Sequence, residues 1–566
     1  MRDINWRYRL FKSPALQRAT FLIATVAVIS PANATIVLGG DIHTETDPLG
    51  HFLYYVGFTG TGTLTVNDNS SNTLQAAAGK DVFFKLGRHT GSQGTGLITG
   101  VGSALNVVGN NGSGSSSDPK GTNAMIGHDG IGVLTIQNGG QLSVTDSAPG
   151  TGSAAYSTES ILVGGYRTGD GTLNVDGGKA KVESVSAFLG VGNRGGVGVV
   201  NVSNNGEVLV HETAAAGTTG AFASAHIGDK GEYLSPSTGY RGGQGTMTIS
   251  SGNLKVKSDN NSANLDVGRT DTGTTGTLNV NGSSSTVDIE AADQAILQLG
   301  RNAGTTGNAS ITDGGSVTVS GGNRGRAFIG AAFANFGRPD GGTGNLTVSG
   351  TGSMLTVSQG DTSDTSKVVI GAPDSWGGGT SEGTVIVKDG GKIQADEVFV
   401  GIGGFLGGNG TIMGTIVSDG GFVAPGLSPG ILTVDGNFSQ TALSHLVMEV
   451  MGSNSGDYDV LNVLGDLDLT QGIIDLVIDP TFLQALLVDI SLMPGLPDMF
   501  MAGGSRALDP NIIGSLSEGY SYVEIEWNAQ GEAIAITAIP VPEPMTLSLM
   551  TLGLAGIGYR RYKKAA

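Results

Sequence analysis

The chain has no cysteine in 566 residues, which excludes disulfides and thiolate metal sites and fits an exported protein that avoids thiol chemistry. Strict heptads are absent, which argues against a helical solenoid. The every-third-residue glycine of collagen is absent too, although glycine, at 97 residues, is far above average usage. So much glycine is incompatible with a helical body, since each one destabilises a helix interior by roughly 1 kcal/mol. Basic residues are scarce outside the two ends. Residues 1–34 hold five Lys/Arg and one Asp, and residues 541–566 hold four Lys/Arg and one Glu. The rest carries 21 Lys/Arg against 47 Asp/Glu, a net of −26, which opposes binding to nucleic acid or anionic lipid by charge. Apolar residues at 38% suffice for a continuous narrow core, so global disorder is not expected.

What is present is a repeat, seen in residues 126–144. An apolar–Gly mark, Ile126-Gly127, is followed by Leu134-Thr135-Ile136, the Gly139-Gly140 turn and Leu142-Ser143-Val144. Apolar residues at every second position give strand periodicity with one buried face. The unit returns at Leu173, Val200, Met247, Leu278, Leu346 and Val385, with weaker copies starting at Leu64, Leu97 and Ala309. Successive starts are roughly 27–47 residues apart, the range of solenoids and arrays. No single unit buries its own apolar face, so units must stack. We therefore expect an all-β chain built as a parallel β-helix, with about ten coils in residues 35–400 and a length on the order of 50 Å. Loops 109–122, 147–160, 229–243 and 359–366 should project from one edge.

The N-terminal stretch has a basic, apolar and small-residue order: Arg2 to Arg18, the run 21–29, then Ala32-Asn33-Ala34. That is an export signal cut after Ala34 by signal peptidase; a short membrane anchor is the alternative. Residues 401–540 differ from the array and should carry the rod into a β-rich cap. That cap is expected to include a short helix at 481–487 and a last hairpin with Val523, Ile525 and Trp527 on one face. Residues 541–566 hold Val541-Pro542-Glu543-Pro544, a 14-residue apolar run at 545–558, and Arg560, Arg561, Lys563 and Lys564. As a helix the run would reach roughly 21 Å, short for a permanent membrane span. The basic end should stay cytoplasmic.

This tripartite tail resembles the PEP-CTERM sorting signal, matching its motif at Val541, Pro542, Glu543 and Pro544. The resemblance implies a substrate of exosortase, a membrane-embedded processing enzyme of exopolysaccharide-producing Gram-negative bacteria. It also implies an inner-membrane-anchored intermediate, held by a short transmembrane helix, before the cell surface or the medium is reached. A plain C-terminal anchor is the alternative. The alternation of Gly-Gly turns with Gly100-Val101-Gly102-Ser103 and Gly350-Thr351-Gly352-Ser353 resembles the repeat of type V secretion (autotransporter) passengers, over about two-thirds of the chain.

Catalytic motifs are weak. Gly426-Leu427-Ser428-Pro429-Gly430 fits Gly-x-Ser-x-Gly, but a strand follows where a nucleophile elbow needs a helix. Gly190-Val191-Gly192-Asn193-Arg194-Gly195 fits a dinucleotide fingerprint but also runs into a strand. His128 and His226 read as turn residues, without a His-x-x-x-His pair for zinc. Asp457, Asp459, Asp466 and Asp468 have calcium-type oxygens but read as exposed strand-end acids. No catalytic residue, cofactor or metal is expected. The expected role is structural or adhesive, in contact with exopolysaccharide in a biofilm. The alternative is a carbohydrate-active β-helix enzyme, a lyase or hydrolase. Its expected Asp and Arg/Lys cluster is not evident, because Arg88, Arg167, Arg194, Arg269 and Arg301 occupy a recurring repeat position.

Overall fold

Leu134 and Ile136 are wholly buried while Thr135 between them is half-buried, as period-2 alternation requires. Their strand, Ile131–Gln137, is the first of three in one coil; Gln141–Asp146 and Glu159–Val163 are the second and third. Each pairs in parallel with its counterparts one coil away. Leu134 stands opposite Gly96 of the preceding coil and Leu173 of the next. Inward side chains from all three strands, such as Ile136, Val144 and Val163, merge into one core along the rod. Each contributes about 1.5–3 kcal/mol by burial.

The computed structural model describes residues 35–540, apart from 48–49, 111–120, 147–157, 216–217, 219, 231, 236–238, 332–340, 373–380, 510–512 and 518–519. Ten first strands, from Thr61–Asn67 to Glu382–Lys388, stack in register, as the repeat count predicts. Five more, from Gly404–Gly408 to Ile513–Leu516, continue the same sheet. The ladders therefore run through residue 400 without a break: Lys392–Gly401 pairs in both the second- and third-strand stacks.

Both ends of the stack are sealed by antiparallel pairing. Thr35–Gly40 lies antiparallel on the first coil. At the other end Tyr520–Trp527 and Ala533–Pro540 form the expected hairpin, with Val523 and Ile525 buried. A short helix, Pro480–Leu486, is capped by Asp479, whose carboxylate accepts from the Thr481 and Phe482 amides at 2.8 and 3.0 Å. Its Leu483 and Leu486 join the core.

Two expectations are corrected. Long connections do not share one edge. Those at 110–122, 147–158 and 360–366 join second to third strands, whereas those at 230–243, 331–342 and 372–381 join third to first. The weak copy at Leu97 is also one residue out of register. Gly96 takes the inward position opposite Leu134, and Leu97 faces outward beside Thr135. Leu134 Cδ1 fills the space that a Cβ on Gly96 would need.

The apolar–Gly mark is explained by the corner between third and first strands. Gly127 has φ +73°, and a Cβ there would lie 2.3 Å from the Asp170 carbonyl oxygen of the next coil. A second glycine completes the corner. Gly132, two residues before Leu134, passes so close to Gly127 that a Cβ would lie 2.1 Å from its amide nitrogen. The same pairing recurs from Gly57 with Gly62 to Gly371 with Gly383. Gly132→Ala should therefore destabilise the rod by about 3 kcal/mol or more, because only backbone can give way. Gly79→Ala, at φ +75° with nothing within 4 Å, should cost only about 1–2 kcal/mol of backbone strain. Urea midpoints of the two variants test this; equal losses would contradict the close approach.

Candidate functional site

Two regions carry the residues singled out by sequence. The first is the pair of tails. Ala32 and Ala34 lie outside the described residues, as do Val541, Pro542, Glu543, Pro544, Arg560, Arg561, Lys563, Lys564 and the apolar run 545–558. What the structure gives is their points of departure. Residue 35 opens the antiparallel cap strand, and Pro540 ends the last hairpin strand, paired with Tyr520. The tails therefore join opposite ends of the coil stack. No helix among the described residues is long and apolar enough to cross a membrane.

The second region is the corner ridge that follows each apolar–Gly mark. Arg88 Nη1 donates to Asp129 Oδ2 at 3.2 Å, and His128 Nδ1 lies 3.0 Å from the same oxygen. Burial, then Lys85 and Arg88, push the His128 pKa down to about 2, so the ring is neutral. Tyr166 of the next coil stacks on His128 at 4.5 Å, and Arg194 of the coil beyond covers Tyr166 at 4.9 Å.

Further along, the structure gathers what sequence spacing separated. His226 Nδ1 lies 2.8 Å from Asp229 Oδ2, and Ser224 Oγ lies 2.7 Å from Nε2. Asp266 Oδ2 is 3.3 Å from Nε2, lies 3.0 Å from Arg269 Nε in an ion pair, and accepts from Arg301 Nη1 at 3.1 Å. Thr270 donates to the other Asp229 oxygen. Burial alone would raise the Asp229 pKa, but His226 and Arg269 outweigh it and hold the carboxyl well below the ordinary range. Burial and Arg269 depress the His226 pKa. Arg269 and Arg301 thus form one cluster with two carboxylates, contrary to the sequence reading of separate repeat positions. Period-based reasoning misses it because the partners come from three successive coils.

The distances at Ser224, His226 and Asp229 fall within those of a nucleophilic relay. Two features oppose that role. Ser224 is only 4% exposed, and Nε2 is shared with the Asp266 carboxylate, which competes for its proton. The positive and negative groups neutralise one another across coils, and the arrangement acts as a polar rung.

Ser428 occupies a bend at φ +82°, and the strand Ile431–Asp435 follows it, as the sequence predicts. The bend is held by Asp459, which is not the exposed strand-end acid expected but is 1% exposed. Its Oδ1 accepts from Gly430 N at 2.7 Å and its Oδ2 from Glu449 N at 2.8 Å. A Cβ on Gly426 would lie 2.1 Å from Oδ1. Asp466 and Asp468 are exposed; Asp466 accepts from Ser505 of the next coil and Asp468 from Thr470 two residues on, and half-buried Asp457 accepts from Asn454.

A match to the PEP-CTERM protein-sorting motif covers residues 540–563. It takes in Val541 to Pro544, Arg560, Arg561 and Lys563, and it marks the chain as an exosortase-targeted exported protein directed to the cell surface. No curated protein matches the chain.

Asp459 gives a pH test. Burial raises its pKa to about 7 against the pull of the two amides. A carboxyl raised in the folded state binds its proton more tightly there than in the unfolded chain. Its contribution is therefore full below pH 3.8 and declines as pH rises through about 7. The stability difference between wild type and Asp459→Asn should shrink over that window. A difference constant with pH in urea titrations would mean that the amides accommodate the carboxylate at no cost.

Proposed function

We propose that this chain is a structural or adhesive rod of the cell envelope or extracellular polysaccharide matrix, released to its site by exosortase cleavage near Val541–Pro544. The observation that carries the reading is the sorting motif at 540–563, directly after a hairpin that ends the coil stack. On this reading signal peptidase removes residues 1–34. The run 545–558 then holds the chain transiently in the inner membrane, and residues 35–540 pass outward as a finished rod. Pro542 and Pro544 keep the cleavage segment extended and free of ladder hydrogen bonds, a form a protease can grip. The Gly-rich repeat belongs, on this reading, with those of type V passengers, and the rod has no catalytic role of its own. Self-neutralised ion pairs and the buried hydroxyl of Ser224 support that absence of catalysis.

Replacing Pro542, Glu543 and Pro544 together with Ala should leave the full-length chain in the inner membrane. Mass spectrometry of the wild-type extracellular form should find no peptide from Thr546 onward. Recovery of an intact 560–566 end on the secreted protein would overturn the processing reading.

A further inference from the structure

The outward side of the first-strand sheet differs from the rest of the rod. Two columns of outward side chains cross ten coils, one from Thr63 to Thr384 and the other from Thr65 to Ile386. Threonine, asparagine, serine and aliphatic residues fill both columns, and neither contains a charged residue. Hydrogen bonds along the axis order them: Asn201 donates to Asn174, Asn345 to Asn308 and Ser310 to Asn279, each at 2.9 Å. The second-strand side, by contrast, carries charged pairs such as Lys179 with Glu207 and Lys255 with Glu290.

Exposed apolar residues concentrate in the same sheet. Val37, Ile131, Phe422, Ile473 and Leu516 are 38–55% exposed, and all lie on its strands. In the other large sheet only Ile431 and Met501 among strand residues are comparably large, apolar and exposed among the described residues.

We propose that this face is the contact between two copies of the chain laid side by side. A body of net charge −26 repels its own copy wherever acids meet, so an uncharged strip is where copies can approach. A partner recognised through charge would find nothing to pair with on these columns. Ten coils at about 4.8 Å, times seven residues at about 3.3 Å, give the whole outward face of these strands roughly 1,000 Å² per copy; the uncharged columns are its middle, and Asp170, Asp176, Glu382 and Lys388 stand along its margins. A standard stable interface needs about 800 Å² per partner. A two-fold contact uses the same patch on both copies, and the equal coil spacing lets side chains of one copy seat between those of the other. The proposal is independent of the sorting reading.

Sedimentation equilibrium of the full secreted chain should show a dimer at micromolar concentration. The dimer should persist at roughly 1 M salt, where repulsion between the bodies is screened. Thr172→Lys combined with Thr246→Lys, in the middle of one column, should raise the dissociation constant at least tenfold. Thr318→Lys with Thr356→Lys, on the second-strand side, should leave it unchanged. In this cysteine-free chain, Thr246→Cys should react slowly with a maleimide under dimer conditions and Thr318→Cys quickly; this arm holds even where a lysine variant fails to fold. A wild type that stays monomeric, or equal effects of the two lysine pairs, would overturn the proposal. So would protection of Thr246→Cys only on addition of polysaccharide from the culture medium, which would assign the face to a sugar polymer.

Discussion

The corner where a third strand gives way to a first strand is a close approach of backbone to backbone that recurs coil after coil. There the left-handed glycine of the apolar–Gly mark faces a second glycine at the start of the following strand, with no room for a Cβ on either. Removing both side chains lets the backbone turn sharply enough for the next strand to land directly on the one before. That landing sets the register, since a one-residue slip would turn the whole apolar set outward. Once the two glycines meet, the connections are free to vary, including the one between them, which is five positions from Gly127 to Gly132 and seventeen from Gly228 to Gly245. The coil from Asp170 closes by Val197, while the next runs on to Gln244, and the first strands still pair residue for residue.

Much of the fold was legible because its dominant signals are local. Leu134 and Ile136 advertise one strand face, and Gly139-Gly140 its turn. The second glycine column, in Gly132-Val133-Leu134 and Gly171-Thr172-Leu173, is hidden in plain sequence because a strand pattern is carried by its apolar residues. Leu97 was misplaced for a related reason: Gly96 takes the inward position, and a neighbour's leucine fills the space. The cluster of His226, Asp229, Asp266, Arg269 and Arg301 could not be read from spacing, since contact between coils depends on register. Asp459 looked like a surface acid because nothing in its own stretch announces the Gly430 and Glu449 amides that it caps. The sorting tail is the opposite case: its meaning lies in its residue order.

Charge is distributed by the same geometry. Acids and bases gather at the corners and on the second-strand side, where successive coils bring opposite signs within reach. Inside the rod the periodic demand for Leu, Ile and Val leaves room for few, and those few, such as Glu212 and Asp459, accept hydrogen bonds from nearby amides. On the first-strand side, threonine and asparagine satisfy one another along the axis. Surface composition thus follows which neighbours each coil offers, and the acidic excess collects where solvent can screen it.

The antiparallel strands that seal the two ends leave the tails at opposite ends of the stack, so a pull on the rod acts along its axis and across its strands. Hydrogen bonds loaded in that direction open one ladder at a time, like a zip, and do not share the load as they would in shear. Under tension the rod would pay out coil by coil, each coil of about thirty residues releasing roughly 100 Å of chain. Because every coil contacts only its neighbours, those still closed would keep their structure. A chain built this way would lengthen severalfold under load before its last coil opens.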